Sequence, residues 1–105
     1  MQRNDQATLV TVQANGATVT RTEKTLFCAK KSVAYSEFYA ATQVGINPKY
    51  IFIFDLDDYE NSFVTVSTGD EIQRIRPTEL IYRGEKFNII RTYETHYEIE
   101  VTVGL

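Results

Sequence analysis

Alternation with a period of two runs through most of this chain. It is written in residues that favour extended backbone, since Thr, Val, Ile, Tyr and Phe recur and there are only two prolines. The closing stretch is the cleanest case. Tyr97, Ile99, Val101, Val103 and Leu105 fall on one side of an extended strand, and Glu98, Glu100 and Thr102 fall on the other. One face is therefore expected to pack inward while the other meets water. Residues 86–93 read as the preceding strand. A turn at Glu94-Thr95-His96 would join the two into a seam that buries Ile99 and Val101 against Phe87 and Ile89.

Upstream, residues 8–14 and 17–22 flank Asn15-Gly16, a dipeptide that accepts the positive φ angles of a tight hairpin turn. Residues 25–33 read as a third strand. Residues 49–56 carry Tyr50, Phe52 and Phe54 on one side and Ile51 and Ile53 on the other, which predicts a central strand covered on both faces. Residues 63–67 and 71–76 bracket Thr68-Gly69-Asp70 as a small hairpin, and residues 79–82 turn at Arg83-Gly84 into 86–93. A single segment reads as helical. Ser36 can cap it, Glu37 sits favourably in its first turn, Phe38, Tyr39, Ala41 and Thr42 follow at helical spacings, and Gly45 and Pro48 stop it. So short a helix must dock Phe38 or Tyr39 on a sheet. Many short strands closed by frequent turns imply an all-β fold: a small β-barrel with one short α-helix, whose closure removes exposed edges.

The 105 residues are expected to form one domain, 1–105, with a single core. The net charge of −3 argues against a surface built to neutralise phosphates. No apolar run is long enough to cross a bilayer as a helix, and the polar start Met1-Gln2-Arg3-Asn4-Asp5-Gln6 does not read as a signal peptide. A cytoplasmic site of synthesis and no membrane partner are the expectations. The one cysteine, Cys28, lies in the apolar run Leu26-Phe27-Cys28-Ala29 and reads as a small buried hydrophobe. It has no neighbour that would stabilise a thiolate. The one histidine, His96, reads as a solvated turn residue.

The acidic run Asp55-Leu56-Asp57-Asp58-Tyr59-Glu60 could offer oxygens to calcium. It lacks the glycine and distal glutamate of a calcium loop, and a solvated turn after a buried strand explains it equally. Paired carboxylates could also serve a glycosidase, but such a short chain has little material for a cleft. No cofactor, no metal and no enzymatic activity are expected. Arg74, Arg76, Arg83, Lys86 and Arg91, interleaved with Tyr82, Phe87 and Tyr93, would suit a barrel that stacks the bases of single strands. The competing reading makes Phe87 core and pairs the basic residues with Glu79, Glu85 and Glu94. The excess of acidic over basic residues, 14 to 11, favours it.

In order and spacing, these segments resemble the head-closure (head-tail connector) family of long-tailed bacteriophages over almost the whole chain. The resemblance runs from the Asn15-Gly16 hairpin through Leu26-Phe27-Cys28-Ala29, Lys30-Lys31-Ser32-Val33 and Ser36-Glu37-Phe38-Tyr39-Ala40-Ala41. It continues with Gly45, Pro48, Phe52 and Asp58-Tyr59. It ends with Leu80-Ile81-Tyr82-Arg83-Gly84-Glu85-Lys86-Phe87-Asn88-Ile89, Arg91-Thr92-Tyr93 and Ile99-Glu100-Val101.

The resemblance implies a small β-barrel that assembles as a homo-oligomeric ring, a dodecamer, beneath the portal and adaptor proteins. The ring would close the DNA-filled head and offer the tail its docking surface. Packaged DNA would pass the lumen without sequence-specific binding. The protein would reside in the virion, at the head-tail interface, after assembly in the bacterial cytoplasm, and the free subunit would be a monomer or weak oligomer. The alternatives are a tail-completion or tail-terminator protein, and a single-strand nucleic-acid-binding barrel. The chain departs from the family pattern by a β-prone insertion over residues 61–78. Residues 35–48 and 61–78 are the segments expected to project, with the latter the more mobile. Ser36, Glu37, Tyr39, Asp58, Tyr59, Asp70, Arg74 and Arg76 are the candidate assembly or lumen residues. Which of the two segments faces the channel stays open.

Overall fold

A computed structural model describes residues 3–33 and 47–105. In chain order the elements are β1 (Asp5–Asn15), β2 (Thr18–Ser32), β3 (Pro48–Asp55), α1 (Leu56–Asn61), β4 (Val64–Thr68), β5 (Glu71–Ile75), β6 (Glu79–Tyr82), β7 (Glu85–Glu94) and β8 (Glu98–Gly104). Six strands close into a barrel in the order β1-β2-β3-β8-β7-β6, and β4-β5 form a separate two-stranded sheet. Every pairing is antiparallel. The expected β-barrel is therefore the fold.

Strand alternation fills the barrel. Leu9 on β1, Cys28 on β2, Phe52 and Phe54 on β3, Leu80 and Tyr82 on β6, Phe87 on β7 and Ile99, Val101 and Val103 on β8 make one buried cluster. Aromatic edges dominate its centre, with the rings of Phe52 and Tyr82 4.9 Å apart and those of Tyr50 and Phe87 5.7 Å apart. The β7–β8 seam forms as the sequence predicts, with Thr92 opposite Val101 and Glu94 opposite Ile99. The Thr95 amide and hydroxyl both donate to the Glu98 carbonyl and close the turn, at 2.8 and 3.1 Å. On β3 the outward Ile51 and Ile53 are as buried as the inward Phe52 and Phe54, as a strand covered on both faces requires.

A bulge at Ile90 interrupts the β7–β8 register near Gly104, which pairs with both Asn88 and Pro48. A Cβ on Gly104 would collide with the Asn47 carbonyl and with Ile90 Cδ1. Backbone cannot move aside as a side chain can, so Gly104→Ala is expected to lower stability by about 1–3 kcal/mol. Denaturant unfolding measures it, and an unchanged midpoint would mean the β3–β8 junction is looser than described.

Three sequence readings need correction. Residues 17–22 and 25–33 are not two strands but parts of the unbroken β2. The polar pair Glu23-Lys24 looks like an interruption only because its side chains are exposed and bury nothing. Asn15 still pairs with Thr18, so the two-residue turn is Gly16-Ala17, with Gly16 at φ +64° in its first position. The acidic run is not a solvated turn but helix α1. Asp55 Oδ1 accepts from the Asp58 amide at 3.1 Å, and Asp57 and Asp58 sit in the first turn, where the helix dipole favours them. The helix expected around Ser36 lies outside the described residues.

Candidate assembly surface

Two hairpins leave the barrel. The longer is the β1–β2 ribbon. β1 meets β6 only at Thr8–Val10, and β2 meets β3 only over Ala29–Ser32, while β1 and β2 pair with each other without a register break from Asp5–Cys28 to Asn15–Thr18. Along β2, Val19, Arg21, Glu23, Lys24 and Phe27 are exposed. Arg21 reaches back to Glu79 on β6 at 2.6 Å, and Lys86 meets the same carboxylate at 3.5 Å. The Arg21 hydrogen bond, helped by both positive charges and opposed by burial, holds the Glu79 carboxyl below the usual carboxylate range.

The second is the β4–β5 hairpin with α1 at its base. Tyr59, 3 % exposed, points from α1 into the core, with its ring 6.4 Å from Phe54 and edge-on to Phe63 at 5.2 Å. Burial raises its phenol pKa, partly offset by the nearby Arg76. The guanidiniums of Arg74 and Arg76 lie 5.0 and 5.8 Å from the Phe63 ring centre, a cation–π arrangement, and Arg74 also donates to the Glu60 carbonyl. A cleft of about 230 Å³ opens between these groups and Thr92 and Glu94 of β7. Chemically, this is a mixed-charge, aromatic-floored notch.

The structure thus brings Tyr59, Arg74 and Arg76 together. Asp58 stays on the solvent side of α1, and Asp70 sits at the tip of the β4–β5 turn. Ser36, Glu37 and Tyr39 lie outside the described residues. Of the ion pairs expected for the basic residues, Lys86 takes Glu79. Arg74 and Arg76 stack on Phe63 instead, and Arg83 lies 3.8 Å from Asp5. Phe63 and Glu60 were missed as members of the cleft. The pattern Tyr59-x-x-x-Phe63 ahead of two alternating arginines was the available signal.

One end of the barrel carries a polar cluster that the sequence did not suggest. The Tyr82 hydroxyl donates to Asp5 Oδ1 at 3.2 Å, Lys30 lies 4.8 Å from the Tyr50 ring and 5.3 Å from the Tyr82 ring, and Arg83 lies 5.2 Å from the latter. Asp5 pairs across the strands with Cys28, which is fully buried. Burial, reinforced by the Asp5 charge, raises the thiol pKa to about 11. Cys28 should therefore react with a thiol reagent only as fast as the barrel opens. Rapid labelling of the native protein at neutral pH would contradict that. His96 is an exposed turn residue, its ring against Tyr97 at 4.2 Å. Among the described residues no group of three His, Cys, Asp or Glu side chains is placed to hold a metal ion. No protein-family model and no curated protein matches the chain.

Proposed function

We propose that this chain is a structural virion protein: a head-tail connector that rings the channel below the portal and adaptor, retains packaged DNA and presents the tail-docking surface. The observation that carries the reading is the order and spacing of its motifs along nearly the full length, from Asn15-Gly16 to Ile99-Glu100-Val101. The architecture is of a kind that suits the task. A closed barrel is a stiff body, and two hairpins leave it with strand edges available to neighbours. The rival single-strand nucleic-acid reading asks for several aromatic platforms, and here Tyr82 and Phe87 are buried in the barrel, which leaves Tyr93, 66 % exposed, alone of the three open to bases.

The experiment is deletion of the gene from the phage or prophage that encodes it. The expected particles are capsids that package DNA, lose it and carry no tails, alongside complete free tails. Filled, stable heads together with tails of irregular length would replace this reading with the tail-terminator one. A steep fall with salt of affinity for oligonucleotides would favour the nucleic-acid barrel.

A further inference from the structure

Among the described residues the β2 strand leaves one edge open along the ribbon. From Thr18 to Cys28 its only strand partner among the described residues is β1, on the other side. Natural strand edges are blunted by charged side chains, proline, bulges or brevity, and of these β2 has only the charges of Arg21, Glu23 and Lys24, of both signs. This one has no proline or glycine over the fifteen residues of β2, no register break against β1, and Val19 and Phe27 each 60 % exposed. We propose that this edge is a self-recognition surface: two copies of the chain join through antiparallel β2–β2 pairing about a two-fold axis at Thr22, giving a continuous β1-β2-β2-β1 sheet.

The register follows from strand geometry and charge. Residues opposite each other in an antiparallel pair put their side chains on the same face, so a strand paired with its own copy must have its axis on a residue, not between two. Centring on Arg21, Glu23 or Lys24 sets that residue against its own copy, like charge facing like. Centring on Thr22 sets Arg21 of each copy opposite Glu23 of the other, twice by symmetry, with Thr20 opposite Lys24, Val19 opposite Thr25 and Thr18 opposite Leu26. Opposite charges directly across strands stabilise and like charges destabilise, so the Thr22 register wins among these. Arg21 already holds Glu79, which holds Lys86, whereas Glu23 is exposed and makes no ion pair among the described residues. The dimer would extend this row of alternating charge from Lys86 and Glu79 through Arg21 to Glu23 of the second copy. Each subunit offers the same patch, so the contact closes at two copies. It does not rest on the connector reading.

Cysteine scanning of the full chain tests the register. Non-hydrogen-bonded opposite pairs hold Cα atoms about 4.5 Å apart, within disulfide range. Cys28 is buried and takes no part. Under mild oxidation Thr22→Cys is expected to give a covalent dimer. Thr20→Cys and Lys24→Cys are each expected to form no covalent dimer alone and to cross-link when mixed. In parallel, Glu23→Arg, which sets arginine against arginine at two places, should weaken dimerisation of the reduced protein about tenfold or more by sedimentation equilibrium. Absence of cross-linking in Thr22→Cys, equal cross-linking in all three single variants, or a dimer indifferent to Glu23→Arg would each overturn the proposal.

Discussion

Ile99→Asp is expected to abolish the fold. Ile99 is 1 % exposed, lies in the central cluster with Phe54, Phe87 and Val101, and sits at the strand pair that closes the β7–β8 seam. A carboxylate there would have no partner, a penalty of about 3–5 kcal/mol, comparable to the whole stability of a small domain. Circular dichroism and urea unfolding at neutral pH measure it. Tyr97→Asp provides the contrast. It stands two residues earlier in the same alternation but is 72 % exposed, so a change within about 0.5 kcal/mol is expected. Equal effects of the two substitutions would mean that the inward face of β8 is misassigned.

The second large effect is expected at Tyr59. Its ring is the principal buried anchor of α1, set between Phe54 of the barrel and Phe63 at the start of the β4–β5 hairpin. Tyr59→Ala would leave a cavity under the helix and cost about 2–4 kcal/mol. The loss should be partly local. The hairpin forms its own two-stranded sheet, so loosening α1 should free it before the barrel yields. Trypsin should then cut after Arg74, the hairpin arginine that no proline follows, well before any other site in the variant, and much more slowly in the parent. Uniform acceleration of all cleavages would mean that the hairpin and barrel unfold as one unit.

The sequence announced the barrel wherever a strand had one wet and one dry face. β8 is the best example, because Ile99, Val101 and Val103 alternate with Glu98 and Glu100 and one register alone buries them. β3 was equally legible from its continuous apolar run. Reading failed where structure did not depend on burial. The ribbon half of β2 is exposed nearly throughout, so its residues carry no alternation, and Glu23-Lys24 looked like a break. The acidic run was judged by charge alone. Asp55 at a cap position, two carboxylates in the first turn and Tyr59 one turn on are a helix start, and the feature that decides it is the single aromatic reaching the core. Of the candidate assembly residues, Tyr59, Arg74 and Arg76 converge because the β4–β5 hairpin, legible from Thr68-Gly69-Asp70, lies against α1, and that packing is not encoded by the turn.

Assembly, rather than chemistry, is the central claim, and direct binding tests it most simply. Purified chain would be present while the proposed phage, deleted for this gene, packages its heads, so that it can bind before the DNA is lost, and the particles would be imaged by cryo-electron microscopy. A ring of β-barrels beneath the portal, with DNA retained and tails now able to attach, is the predicted result. Heads that gain no density while the chain decorates tail ends, or binds neither, would contradict the account.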